Sequence, residues 1–362
     1  MNYISTAQGA PVESRLEQFH FTGKAGEYFG VWIVNVVLTI LTLGIYSAWA
    51  KVRRERYFHG STFLAGSSFE YHASPKQILI GRIIVFALFL AYNLIVTIFP
   101  LTAVVFLPLF LIAMPWFIVR GLRFNARVTS YRNVRFDFVG GYWGAFKAIF
   151  LASLVAVMSL GIMAPFASRW AWRYILDNLR YGGRPFDSDP RLGDLYRQWL
   201  LPAALTVLGF GLILVPAVLY RDAAIVLLAK NVAPDHIIGA YYAAIYGCLI
   251  ALGLIYVVAG LLYRAGVHNV VLNATVLDGH HRFVSHLGRG RYAWIAITNF
   301  LATILTLGLA RPWAAVRVAR FIAAAAAIQV RGPLEDYLST VSDTGTAVGS
   351  EFMEMEGISL GI

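Results

Sequence analysis

The chain has 362 residues, of which 59% are hydrophobic and only 14% charged, and its formal net charge is +11. At a mean hydropathy of +0.65 it carries too little charge to cover a water-facing surface of this size, which argues against a soluble protein and for residence in a membrane. Nearly every basic residue flanks an apolar segment, so the positive charge reads as lipid-headgroup contact and positive-inside bias, with no nucleic-acid partner.

Residues 1–18 read as an N-terminal tail, and the first thirty residues lack the basic start, short apolar core and small-residue cleavage site of a signal peptide. The first apolar segment is therefore expected to act as the targeting signal. A bilayer core of about 30 Å takes about 20 helical residues. Segments of that kind run from about Val31 to Ala48, Ile78 to Phe99, Leu101 to Val119, Ala145 to Phe166, Leu200 to Tyr220, Gly239 to Leu262 and Tyr292 to Leu309. Residues 336–362, with Asp343, Glu351, Glu354 and Glu356 among Ser, Thr and Gly, read as an acidic flexible tail. The single cysteine, Cys248, allows no intramolecular disulfide.

The segments are not independent. Thr39-Ile-Leu-Thr-Leu-Gly44 recurs as Thr303-Ile-Leu-Thr-Leu-Gly308, and at the same spacing Asn35, Trp49, Arg53 and Arg56 match Asn299, Trp313, Arg317 and Arg320. A third copy lies between, where Phe136-Asp-Phe138-Val-Gly140 echoes Phe19-His-Phe21-Thr-Gly23, Gly161 echoes Gly44 and Arg173-Tyr174 echoes Arg56-Tyr57. Such repeats divide the membrane domain, residues 19–335, into short units at about 19–68, 136–185 and 283–335 and paired units at about 69–135 and 186–282. Between units, turn-prone residues separate short β-prone runs, as in Leu277-Asp278-Gly279-His280, and read as small hairpins outside the bilayer. The expected fold class is thus an all-α polytopic membrane protein of repeated single and paired helical units joined by short cytosolic β-hairpins.

Charge bears on topology. Lys51, Arg53, Arg54 and Arg56 after the first copy occupy the place that Arg169, Arg173, Arg180 and Arg184 take after the second and Arg317 and Arg320 after the third. Seven full crossings would turn each copy over relative to the previous one, with the second set of flanks on the opposite side of the membrane from the other two. Four spans with three re-entrant elements, each bending at Gly44, Gly161 or Gly308, would keep them on one cytoplasmic face. Seven crossings in the manner of inverted-repeat transporters stay open as the alternative.

No metalloprotease, phosphate-loop, nucleophile-elbow or paired-cysteine motif occurs, so no catalytic residue, metal or cofactor is assigned. His280, His281 and His286 cluster near Asp278, but adjacent histidines point apart and read as a polar hairpin. Asn35, Asn299, Thr42 and Thr306 are candidates for a polar path or a helix contact. Trp49, Arg53 and Arg56, like Trp313, Arg317 and Arg320, share a helical face and are candidates for headgroup binding. The expected partners are membrane lipids and a small solute. The expected roles are transport or permeation, a lipid-linked envelope function, or a non-catalytic scaffold binding anionic lipid or a protein.

Phe19-x-Phe21-x-Gly23, Tyr28-Phe29, Asn35, the run ending at Gly44, Trp49-Ala50 with Arg53 and Arg56, and the hairpin from Thr62 to Phe69 together resemble the YjgN-like family of bacterial inner-membrane proteins, domain of unknown function 898. The resemblance covers about Phe19 to Leu334 and implies location in the inner membrane, with no substrate or catalytic residue to carry over.

Overall fold

A computed structural model describes residues 14–219, 225 and 235–331, with side chains described for 14–214, 225 and 243–331. The N-terminal segment before Ser14, the polar stretch around 221–234 and the acidic tail lie outside the described residues. The expectation of an all-α fold is corrected at once, because eleven short strands join in a single antiparallel sheet. Each hairpin alone would leave two unpaired edges, and lateral pairing of all of them removes that cost.

The chain order explains the sheet. Strands β1 (Ser14–Gln18) and β2 (His20–Phe21) are followed by helices α1 (Ala25–Leu41) and α2 (Ser47–Gly60), then β3 (Thr62–Leu64) and β4 (Ser67–Tyr71). Helices α3 (Pro75–Ile98) and α4 (Ala103–Arg127) lead to β5 (Thr129–Tyr131) and β6 (Val134–Phe138). Next come α5 (Tyr142–Met158), which contains a π-helical segment, α6 (Ala164–Asp177), β7 (Leu179–Tyr181) and β8 (Arg184–Ser188). Helices α7 (Leu192–Leu219) and α8 (Asp235–Asn273) precede β9 (Thr275–Leu277) and β10 (His281–Ser285). Helices α9 (Arg289–Leu305) and α10 (Arg311–Ala324) lead to the last strand, β11 (Ala326–Arg331).

Neighbouring strands pair in the order β1-β11-β10-β9-β8-β7-β6-β5-β4-β3-β2. The two ends of this order are separated by one residue, Phe19, whose N–H donates to the Ala326 carbonyl at 3.1 Å. The sheet is therefore a nearly closed, barrel-like ring. Antiparallel register puts Tyr71 opposite Thr129 and Phe138 opposite Leu179, so every helical hairpin leaves from and returns to one rim. The opposite rim carries the tight turns and the paired ends Ser14 and Arg331. Ala65-Gly66, Arg132-Asn133 and Gly182-Gly183 have positive φ at both positions, the two-residue turn that matches strand twist, and Asp278-Gly279 shares those angles within a three-residue loop closed by the Leu277–His281 pair.

Inside the ring, five phenylalanines turn inward: Phe19 between β1 and β2, and Phe69, Phe136, Phe186 and Phe283 from β4, β6, β8 and β10. Their centroids stand 6.3 Å apart for Phe19 and Phe69, 6.4 Å for Phe136 and Phe186, and 6.0 Å for Phe186 and Phe283. The glycine of Phe-x-Phe-x-Gly has a steric cause, since a Cβ on Gly23 would fall 2.6 Å from the Phe21 ring. The tyrosine after the arginine locks the same corner: Tyr57 Oη donates to the Lys24 carbonyl at 2.9 Å, and Tyr174 Oη to that of Gly141 at 2.7 Å.

The helices fall into two lengths. Among the described residues, four stretches are long and apolar enough to cross a bilayer: Pro75–Ile98, Pro100–Arg127, Leu192–Leu214 and Ala243–Asn273. Helix α3 has no fully buried residue, and beyond Ile78, which packs against Val52, Tyr71 and Ala73, most of its apolar side chains are exposed. The other hairpins are shorter, α1 and α9 having 17 residues each, or about 25 Å at 1.5 Å per residue. The apolar segments read from Val31, Ala145 and Tyr292 each contain a bend followed by a returning helix. At those bends Leu43, Leu160 and Leu307 take left-handed φ of 48°, 51° and 50°, each followed by glycine at φ of 93°, 86° and 94°. The Gly44 N–H donates to the Thr39 carbonyl and the Gly308 N–H to that of Thr303, both at 2.7 Å, the six-to-one bond that ends a helix and reverses the chain.

Candidate functional site

The hydroxyls at these bends bond to the backbone of their own hairpins. Thr42 Oγ1 donates to the Leu38 carbonyl at 2.7 Å and accepts from the Tyr46 N–H at 2.9 Å. Thr306 repeats the pair with Ala302 and Ala310 at 2.7 and 2.9 Å. One side chain thus caps the outgoing helix and starts the returning one, as Ser159 does with Ala156 and Met163 in the middle short hairpin.

Asn35 and Asn299 are buried within their own hairpins and line neither of the two cavities described below. Asn299 Nδ2 donates to the Ala314 carbonyl at 3.1 Å, and its Oδ1 accepts from Arg317 Nη1 at 3.1 Å. Asn35 Nδ2 reaches the Ala50 carbonyl at 3.5 Å, and its Oδ1 has no partner among the described residues. The cause of the difference lies one helical step away. Thr298 Oγ1 accepts a second bond from Arg317 at 2.8 Å and draws it inward, whereas Val34 stands in that place in the first hairpin. There Arg53 turns instead to the Tyr46 hydroxyl at 3.0 Å.

Arg56 and Arg320 hold the ring together. Arg56 Nε donates to the Tyr71 carbonyl at 3.3 Å, at the end of the next long strand. Arg123 does the same to Phe138 and Gly140, both at 3.2 Å, and Arg169 to Pro190 at 2.9 Å. Asn273 reaches Ser285 at 3.1 Å, and Arg320 completes the circle on the Gly23 carbonyl at 3.1 Å, back in the first hairpin. Each returning helix is thereby tied to the following strand-to-helix corner by a charge-assisted or amide hydrogen bond.

A cavity of about 710 Å³ opens where the last hairpin meets the start of α1. Arg291 and Trp294 reach it from α9, Trp313, Arg317 and Arg320 from α10, and His286 from the corner after β10. Arg317 lies 5.0 Å over the Trp313 ring and Arg291 5.5 Å over Phe321, so both cations are aligned by aromatic faces. No acidic side chain lines the cavity, and none of the three arginines forms an ion pair among the described residues. The Arg291 guanidinium makes no hydrogen bond to a described residue, which leaves its donors available to an anion.

The structure therefore gathers Trp313, Arg317 and Arg320 into one pocket, whereas in the first hairpin Arg53 turns to the Tyr46 hydroxyl and Arg56 to the Tyr71 carbonyl. In the first hairpin Glu27 and Gly30 hold the places of Arg291 and Trp294, at the constant spacing of the repeated run. Arg291 and Trp294 are pocket residues that the sequence reading assigned to no site, and His286 was read there only as part of a polar hairpin; the Glu27-to-Arg291 and Gly30-to-Trp294 differences between aligned copies were the available signal. Among the described residues no three metal-ligating side chains converge: His281 lines the barrel interior, while His286 lines the basic cavity.

Helical hairpins of membrane-spanning length and composition, standing on a small barrel with a tryptophan-framed cationic pocket at their base, define a helical membrane protein. The chain belongs to the family of bacterial proteins of unknown function DUF898, which matches residues 16–355. It is similar to the inner membrane protein YjgN of Salmonella typhimurium strain LT2, with 27% identity over 374 residues, covering 92% of this chain and 93% of that protein. The inner membrane protein YjgN of Escherichia coli strain K12 is 33% identical over 145 residues, 38% of this chain and 35% of its own length. No solved structure matches. The chain is, like these relatives, a protein of the bacterial inner membrane.

Proposed function

We propose that this protein is a multi-pass inner-membrane binder of anionic lipid, in which the pocket formed by α9, α10 and the start of α1 receives a phosphate-bearing headgroup. The observation that carries this reading is the convergence of Arg291, Arg317, Arg320, Trp294 and Trp313 on one cavity without a carboxylate. Guanidinium groups suit phosphate oxygens through paired N–H donors, and tryptophan favours the depth at which headgroups lie.

In this reading α3, α4, α7 and α8 cross the bilayer as two hairpins, and the three shorter hairpins enter and leave from the same side. Topology supports it, because each excursion begins and ends on one rim of the sheet. The five excursions are then versions of one repeated unit, and the positive-inside rule puts the sheet in the cytoplasm. The exposed tips support the immersion of the short hairpins: Leu43 and Leu307 are each 95% exposed, a costly placement in water and a favourable one in hydrocarbon. A polar solute path through Asn35 and Asn299 is less well supported, since each amide is buried between the two helices of its own hairpin.

The test is lipid retention by the purified full-length chain in neutral detergent, read by native mass spectrometry. Phosphatidylglycerol is expected to be retained at least tenfold more strongly than phosphatidylcholine, and Arg291→Glu to abolish that preference. Equal retention of the two lipids by the native protein would overturn the proposal. Competition by inorganic phosphate separates recognition of the phosphate alone from recognition of an intact lipid.

A further inference from the structure

The sheet encloses a second cavity that the headgroup pocket does not use. It measures about 260 Å³ and lies among the five inward phenylalanines. Native interiors contain few voids larger than one water, whose share of liquid volume is about 30 Å³. This volume is several times larger, although its walls are among the most aromatic in the molecule.

The walls offer water little. Tyr131 Oη donates to the Leu64 carbonyl at 2.6 Å and Tyr181 Oη to the Tyr131 carbonyl at 3.0 Å, so both hydroxyls are engaged along the strands. The Tyr131 and Tyr181 rings stand 6.3 Å apart, with Phe69 4.8 Å from the first and Phe136 5.0 Å from the second. The one ionisable imidazole in the wall, His281, accepts from the Arg331 N–H at 3.3 Å. Burial first, and then the neighbouring His280, pushes its pKa below the ordinary histidine value, so it stays neutral near pH 7. Ala65 also lines the cavity and is itself a turn residue, so the space comes up to the rim that faces away from the helices.

We infer that the barrel interior is a binding site for a small neutral aromatic molecule, distinct from the basic pocket at the helix bases. Size and chemistry set the class. An apolar cavity of about 150 Å³ stays dry and takes up benzene, and this larger one, walled by ring faces, fits a fused two-ring compound. Nothing in the wall would neutralise a carboxylate or phosphate, so a charged amphiphile is excluded.

The inference is tested by photolabelling the full-length chain in phosphatidylcholine vesicles with 3-trifluoromethyl-3-phenyldiazirine, with and without naphthalene. Peptides carrying Phe69, Tyr131 and Phe283 are expected to label saturably and to lose at least fivefold of that label to naphthalene, while lipid-facing peptides of α3 show no competition. Filling the space with Ile328→Trp is expected to suppress barrel labelling, and enlarging it with Leu277→Ala to raise it. Barrel peptides that stay unlabelled in the native protein, or label without saturation or competition, would overturn the inference without recourse to any variant. Because phosphatidylcholine carries no net charge, this outcome is independent of anionic-lipid recognition by the other pocket.

Discussion

The first and last short hairpins share a sequence frame and a bend, yet their arginines end in different places, and the last one turns them onto a cationic pocket. Their tips are the same to within a degree or two of φ, because Thr-Leu-Gly dictates the reversal locally. Their bases differ through a few residues. Arg291 and Trp294 replace Glu27 and Gly30, and Thr298 replaces Val34, which brings Arg317 inward while Arg53 turns to Tyr46. The lesson is that a repeated scaffold fixes where a side chain starts, and its immediate partners decide where it ends.

The largest expected effect probes what the two hairpins have in common. If both tips lie in hydrocarbon, Leu43→Asp and Leu307→Asp should each cost about 3 kcal/mol, the range for a carboxylate placed deep in a membrane helix. The measurement is the fraction of chain inserted and protease-resistant in vesicles, and the two variants should behave alike. A tip in water would tolerate aspartate to within about 0.5 kcal/mol. Unequal losses would break the equivalence of the two hairpins.

Much of this architecture could be read along the chain. The bends at Gly44, Gly161 and Gly308 and the tight turn at Asp278-Gly279 follow from local chemistry. The hairpins between units were legible, but the ring they close was not, because strands of two to six residues carry little periodicity and their partners come from distant units. A clue lay in Phe19, Phe69, Phe136, Phe186 and Phe283, one ahead of each helical hairpin regardless of its length, all of which meet inside the ring. The candidate site was half legible: Trp313, Arg317 and Arg320 stood out by spacing, but Arg291 and His286 become meaningful only when the corner after β10 folds beside α10.

An intermediate effect is expected where the hairpins differ in charge. Arg291→Glu copies the first hairpin into the last and should weaken phosphatidylglycerol binding at least tenfold, about 1.4 kcal/mol. The reverse change, Glu27→Arg, should improve binding by less than twofold, because Gly30 supplies no ring and Arg53 remains tied to Tyr46. A full second site produced by Glu27→Arg alone would show that charge suffices and that the tryptophan frame is dispensable.

The smallest effect separates the two buried asparagines. Asn299→Ala removes a bond to the Ala314 carbonyl and takes an acceptor from Arg317, so a destabilisation of about 2 kcal/mol is expected for the loss of a bond involving a charged donor. Asn35→Ala breaks one long contact and also deletes an acceptor that is buried without a partner, so the two terms oppose each other and the net cost should be about 0.5 kcal/mol. Thermal unfolding in one detergent ranks the pair directly. Adding Val34→Thr to the native protein sharpens the comparison, since a hydroxyl there copies the feature that turns Arg317 onto its asparagine. If Arg53 follows, Asn35→Ala should become as costly as Asn299→Ala in that background; if the two costs stay apart, Tyr46 rather than the missing hydroxyl is what holds Arg53 away.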